Sequence, residues 1–213
     1  MQLDVFTLLP HAFAWLTEQR PVAAVLGEEL ELRLLNYRDY TPLANGQVDD
    51  EPYGGGAGMV LRVDVVAEAL DAVYGGRPAH PVIALSPQGR QLTQKAVEEL
   101  AVLEHVTLLS ARFEGFDERI VEHLTTDAIS IGPYVLSNGD LPAMVVLDAI
   151  ARRLPGALSE GSGEFESFSD ELGGGLEYPH YTRPAEYRGW RVPDVLLSGD
   201  HARIEGWRRE QVR

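Results

Sequence analysis

No cysteine occurs in the 213 residues. Disulfide bridges and cysteine-ligated zinc are therefore excluded. No apolar run approaches the roughly 18 residues of a membrane span, so no membrane partner is expected and the cytoplasm is the expected location. The opening stretch Met1–Pro10 has no basic residue ahead of its apolar ones and no small-residue cleavage site. It reads as a first strand, not a signal peptide. The six histidines (11, 80, 105, 123, 180 and 201) are scattered, with no spaced ligand pair, and there is no GxSxG nucleophile elbow. Zinc and serine-hydrolase chemistry have little support, and no metal-ligand residues are assigned. Both the P-loop and the strand-to-helix GxGxxG are missing, which argues against an ATP- or NAD-binding enzyme.

Basic residues are scarce too: 18 Lys plus Arg stand against 33 Asp plus Glu, for a net charge of −15. That balance opposes an RNA partner until its distribution is considered. Residues 1–177 hold 11 basic and 28 acidic side chains, whereas 178–213 hold 7 and 5. Phosphate contacts, if the chain makes them, belong in that last segment. A salt-bridged C-terminal helix is the plainer reading of the same charges.

What is present divides the chain. Residues 159–175 (SEGSGEFESFSDELGGG) have the composition of a linker, with Phe165, Phe168 and Leu172 as its apolar residues. The two phenylalanines suggest docking when a partner or ligand is bound. Three domains of the reading follow: 1–158, the linker 159–175, and a short, mainly helical 176–213. In the first, strands and helices alternate, which predicts an α/β fold with a parallel sheet covered on both faces. Short apolar strands are expected at Val82–Leu85, Val106–Leu109 and Ala128–Ile131, each running into a turn-rich stretch. Helices are expected at about Thr93–Leu103, Asp117–Leu124 and Leu141–Leu154. Asp140 would cap the last of these, with Pro142 in its first turn. Apolar residues surround most of that helix, so it is expected to be buried or packed on a second subunit.

Ligands in open parallel sheets sit beyond the carboxyl ends of the strands. The loops after the three strands are rich in Gly, Pro and small polar residues, which predicts a pocket there. The glycine-rich stretch Tyr53–Met59 needs positive φ or close backbone approach, or is simply a flexible turn. Glu114 lies inside a loop and is a candidate site carboxylate. Asp117 and Glu118 read as a solvated helix start.

Seven segments together resemble the bacterial tRNA (guanine-N1)-methyltransferase family, of the trefoil-knot (SPOUT) methyltransferase class. They are Val48–Met59 (VDDEPYGGGAGM), Leu85–Arg90 (LSPQGR), Arg112–Arg119 (RFEGFDER), Ile129–Ser137 (ISIGPYVLS), Leu141–Met144 (LPAM), Tyr178–Pro184 (YPHYTRP) and Val195–Ala202 (VLLSGDHA). They follow the family's order along nearly the whole chain. The resemblance implies a parallel sheet tied in a deep trefoil knot, a rare exception to un-knotted topology. It implies a homodimer, with the helix after Leu141 near the subunit contact, and the knot of one subunit meeting the linker of the other. The implied ligand is S-adenosylmethionine, bound by Pro87, Ala111, Gly115, Ile131, Gly132, Pro133, Tyr134, Val135, Leu136 and Gly139. The sequence departs from the family at Ala111 and Asn138, where glycines are usual, and at Pro133, where an acid is usual.

The implied reaction is methylation of N1 of the guanosine 3′ of the anticodon in tRNA. That nitrogen carries a proton near neutral pH, so a base must remove it. By family position the base is Glu166, standing where relatives have an aspartate; Asp170 is the alternative. Arg152 would stabilise the charge left on guanine O6, although by itself it reads as an arginine favourable to a helix C-terminus. The resemblance also implies a magnesium ion, with Glu114 a carboxylate near it, but there is no dedicated magnesium cage in the sequence. Arg183, Arg188, Arg191, Arg203, Arg208 and Arg209 are candidates for the tRNA anticodon stem-loop backbone. A rival reading is a knotted RNA-binding protein that has lost turnover, suggested by the Asp-to-Glu change.

Overall fold

A computed structural model describes residues 1–159 and 166–213. Contacts group the chain into two units, Met1–Leu158 and Ser159–Arg213. In chain order the first unit holds β1 (Gln2–Thr7), α1 (Ala14–Thr17), α2 (Val22–Val25), β2 (Glu31–Asn36), β3 (Asp49–Asp50), β4 (Val60–Leu61), α3 (Val63–Tyr74), β5 (Val82–Gln91), α4 (Gln94–Ala101), β6 (His105–Ser110), α5 (Glu118–His123), β7 (Asp127–Ser130) and α6 (Asp140–Ala151). The second holds β8 (Glu186–Tyr187), β9 (Trp190–Arg191), α7 (Asp194–Leu197) and α8 (His201–Gln211).

Five strands form one sheet in the order β2-β1-β6-β5-β7, and every pairing is parallel. Side chains along a strand alternate between faces, and the core follows that alternation. Leu3 and Val5 of β1, Ile83 and Leu85 of β5, and Val106 and Leu108 of β6 enter one apolar cluster with Val97 of α4 and Val146, Leu147 and Ile150 of α6. Phe6, Val82 and Leu109 enter the other, with Val65, Val66, Ala69 and Leu70 of α3 and Ile120 of α5. Both faces are thus covered, as a parallel sheet requires. Leu147 is fully buried, so Leu147→Ala would cost about 2–5 kcal/mol.

The sheet's amino-terminal end is held by charge. Asp4, fully buried on β1, accepts from Arg33 Nε of β2 at 2.7 Å, from the Tyr74 hydroxyl at 2.5 Å and from Gln2 Nε2 at 3.1 Å, and lies 2.8 Å from His105 Nε2 of β6. Burial pushes its carboxyl up, but the hydrogen bonds from Arg33, Tyr74, Gln2 and His105 outweigh burial and bring it down to about 2. His80 stacks on His105 with ring centroids 3.5 Å apart. Burial, then the neighbouring His105, lowers the His80 pKa below the usual histidine value.

Several expectations are corrected. Strand β5 does not stop at Leu85. It pairs with β7 at Leu85↔Ile129, bows out over Ser86–Gly89, and pairs again at Arg90↔Ile129 and Gln91↔Ser130. The stretch expected as a turn is therefore an excursion inside one strand. It returns because Gly89 can lie against β7, where an added Cβ would be 2.4 Å from the Ala128 carbonyl carbon. Asp140 is not the cap of α6. The N-cap position is Gly139, and the Asp140 amide donates to Asn138 Oδ1 at 3.0 Å. Of the two alternatives for α6, burial all round within the first unit does not hold: Ala143, Val146, Leu147 and Ile150 pack inward, while Leu141 and Val145 are exposed and left for the alternative of a second subunit. Helices α4 and α5 form where expected, and their expected ranges begin one residue too early: Thr93 and Asp117 are N-caps, with Thr93 Oγ1 accepting from the Ala96 amide and Asp117 Oδ1 from the Arg119 amide. The second unit is helical in α7 and α8 but also carries the antiparallel β8–β9 hairpin. Among the described residues, no helix is long and apolar enough to cross a membrane.

Candidate functional site

Three adjacent strands meet at one cleft of about 160 Å³: β6 and β7 reach it with their carboxyl ends, and β5 with its excursion at Ser86 and Pro87. Of the ten residues expected to hold the ligand, nine line it: Pro87, Ala111, Gly115, Ile131, Gly132, Tyr134, Val135, Leu136 and Gly139. Pro133 is not among the lining residues. The walls are mainly apolar, with Leu85, Ile129 and Pro142 joining Ile131 and Leu136.

Backbone packing explains why glycine stands where it does. The Gly139 amide donates to the Ala111 carbonyl at 2.7 Å, and a Cβ on Gly139 would lie 2.9 Å from Ser110 Cα. Two segments distant in sequence thus meet with no room for a side chain. Gly115, at φ +106, turns the chain inside the loop after β6. Phe113 in the same loop adopts φ +62, an uncommon conformation for a bulky residue. It lines the cleft with Arg112 and was not singled out from sequence, since nothing in its spacing marks it.

The glycine-rich stretch before β4 is explained by the same loop. Gly54, Gly55, Gly56 and Gly58 all have positive φ. The stretch is strapped to residues 114–117: the Glu114 amide donates to the Met59 carbonyl at 2.9 Å, and Leu61 accepts from Asp117 at 3.0 Å. Glu114 lies across Gly58, where a Cβ would meet its Oε1 at 2.4 Å. Glu114 is also the carboxylate that lines the cleft. Among the described residues no three His, Asp or Glu side chains come together to hold a metal ion.

The remaining site residues fall elsewhere. Arg152 is the C-cap of α6, half-buried, and does not line the cleft. Glu166, in the second unit, is half-buried, and its carbonyl accepts from the Ser169 amide at 3.1 Å. Asp170 opens a short 3-10 turn and is exposed. Phe168 is exposed at φ +71, and Phe165 lies outside the described residues. All six candidate arginines of the second unit are exposed. Arg188 lies over the Tyr187 ring and Arg208 over Tyr178, while Arg191 and Arg209 pair with nearby acids.

Fold and cleft define an α/β protein with a candidate ligand site among the loops of a parallel sheet. The family profile described as tRNA (Guanine-1)-methyltransferase TrmD matches residues 1–213. A tRNA (guanine-N(1)-)-methyltransferase of Brevibacillus brevis is 49% identical over 216 residues, covering 100% of this chain and 87% of that relative. Proteins of the same name from Dehalococcoides mccartyi and Oceanobacillus iheyensis are each 47% identical, covering 99% of this chain and 85% and 86% of the relatives. The chain belongs to the tRNA (guanine-1)-methyltransferase family and is therefore an enzyme.

Proposed function

We propose that this enzyme transfers the methyl group of S-adenosylmethionine to N1 of the guanosine 3′ of the anticodon in tRNA. The observation that carries the reading is the one cleft lined by nine residues of the expected ligand set, in a chain matched to the family over its full length. The cleft suits such a ligand. Its apolar walls accept a purine ring, its glycine-lined backbone permits close approach, and Glu114 offers a carboxylate to a cation. When bound, S-adenosylmethionine supplies an electrophilic methyl group.

The chain's own residues do the rest. Glu166 takes the proton from guanine N1, with Asp170 the alternative acid. Arg152 stabilises the negative charge that develops on O6. A base within hydrogen-bond reach of N1 typically contributes about 10²–10⁴-fold. The exposed arginines of 176–213 hold the tRNA backbone. The magnesium ion that the resemblance implies finds no dedicated cage among the described residues, and the steps above do not depend on it.

The sheet of this reading is tied in a deep trefoil knot through the loops that line the cleft. The enzyme works in the cytoplasm as a homodimer, which the exposed Leu141 and Val145 on α6 support. The test is methyl transfer from labelled S-adenosylmethionine to tRNA transcripts. Label should enter the transcript with guanosine 3′ of the anticodon and not its adenosine counterpart. Equal labelling of the two would refute the specificity.

A further inference from the structure

Asp140 has an unusual place for a carboxylate. It is 2% exposed, yet it bridges three elements. Its Oδ1 accepts from Thr7 Oγ1, at the end of β1, at 2.5 Å, and from Ser110 Oγ, at the end of β6, at 2.7 Å. Its own backbone opens α6. Thr7 Oγ1 accepts in turn from the Leu9 amide at 2.9 Å, so the chain leaving β1 is drawn into the same knot of bonds. Asp140 Oδ2 and the buried Tyr37 hydroxyl have no hydrogen-bond partner among the described residues. Burying a carboxylate with one bare oxygen is costly. The amino end of the 12-residue α6 offsets part of that cost, because its dipole favours negative charge in the first turn.

The charge sits directly behind a wall of the cleft. Ser110 precedes Ala111 and Asp140 follows Gly139. Ala111 and Gly139 line the cleft and are joined by the 2.7 Å backbone hydrogen bond. The crossing is so close that the Gly139 Cα faces Ser110 without room for a methyl group. Thr7, Ser110 and Asp140 do not line the cleft themselves. Hydroxyl donors gathered on one carboxylate oxygen form strong, short bonds that fix where each strand ends.

We propose that Asp140 is a positioning residue for S-adenosylmethionine: without touching the ligand, its carboxylate clamps the ends of β1 and β6 to the start of α6 and so fixes the Ala111–Gly139 wall. This rests on reading the cleft as the methyl-donor site. Two hydroxyl–carboxylate bonds then act as a unit, and loosening either should widen the crossing. The consequence is an affinity effect that travels from Thr7, on the remote side of the carboxylate, to the ligand.

The experiment titrates S-adenosylmethionine into the full-length protein by calorimetry. The variants are Thr7→Val, Ser110→Ala, Asp140→Asn and the Thr7→Val/Asp140→Asn double. Loss of one hydroxyl bond should raise the Kd roughly 3- to 10-fold. Asp140→Asn should raise it further, and the double variant no more than Asp140→Asn alone, because coupled residues are not additive. In turnover, KM for the methyl donor should rise while KM for tRNA stays put. Ile120→Val, a core change in α5 that neither lines the cleft nor touches the Asp140 bonds, should leave the Kd unchanged even where it lowers the melting temperature. If Asp140→Asn does not fold, Thr7→Val and Ser110→Ala carry the same test. Folded variants with the wild-type Kd would overturn the clamp while leaving the site reading intact. A wild-type protein that binds no S-adenosylmethionine would overturn the site reading itself.

Discussion

Gly89→Ala should be among the most damaging single-methyl changes in the protein. The backbone of Gly89 does not lie in the left-handed region, so alanine is conformationally permitted and the argument rests on contact alone. An added Cβ would lie 2.4 Å from the Ala128 carbonyl carbon and 2.5 Å from both Ala128 O and Ile129 N. Non-bonded carbons prefer about 3.5–4.0 Å, so the two strands must part by about 1 Å. The obstructing atoms are backbone and cannot swing aside. The hydrogen bond from Leu92 N to Ser130 O, now 2.8 Å, and the pairing of Arg90 and Gln91 with β7 would stretch past useful range. Overpacking of this kind costs about 1–3 kcal/mol, and this case belongs at the upper end. For a chain of this length that is a fall in Tm of roughly 6–12 °C. Gly89 also closes the excursion carrying Ser86 and Pro87 into the cleft, so affinity for S-adenosylmethionine should drop as well. Thermal unfolding by circular dichroism and calorimetry at 20 °C would read the two effects. A Tm within about 2 °C of wild type would refute the reasoning.

Glu166→Gln keeps size and removes basicity. Initial rates at saturating methyl donor should fall about 10²-fold or more, with cofactor affinity nearly unchanged, while Asp170→Asn does much less. The reverse result would move the base to Asp170. Arg203→Ala and Arg208→Ala should each weaken tRNA binding and lower the slope of log K against log salt by about 0.7–0.9 per lost phosphate contact. An unchanged slope would make these arginines structural. Acid should lower the stability of the first unit over two ranges of pH. The His80 pKa is below its unfolded value, so its contribution is present above about pH 6.5 and is lost as pH falls below that. The Asp4 carboxyl is lowered to about 2 from 3.8, so its contribution is present above 3.8 and is lost as pH falls towards 2. After allowance for solvent screening, the Asp4 part is about 1–2 kcal/mol. Asp4→Asn should flatten the lower range in urea titrations at stepped pH, and an unaltered profile would remove Asp4 from the account. Finally, refolding Gly132→Trp together with Glu166→Gln should restore about a quarter of the sites if base and cofactor come from different subunits, since half the dimers are mixed and one of their two sites is intact. A mixture as inactive as its parents, with exchange proven, would place both in one chain.

Much of the framework around the cleft is legible in the sequence. The apolar runs at 82–85, 106–109 and 128–131 are bounded by turn residues, and strands β5, β6 and β7 match them to within a residue at each end, except that β5 runs on to Gln91. Helices α4 and α5 were readable as elements to within a residue or two of their ends, because the side chains that open them, Thr93 and Asp117, act on amides only two or three residues away. The glycines of 54–58 announced positive φ for the same local reason. Local chemistry is written in local sequence. The edge strand β2 was not legible, because Glu31 and Arg33 break its apolar run, and Arg33 is there to meet Asp4. Nor was the return of β5 after Gly89, since it depends on a β7 backbone about 40 positions later in the chain. Asp140 looked like a helix cap and became a bridge, because Thr7 lies 133 residues away in sequence and only the parallel sheet brings it within 2.5 Å. Composition, motif order and the punctuation of strands and helices were decided by the sequence alone. Which strands are neighbours, and which buried charge ties them, were decided by the packing of segments that no local pattern connects.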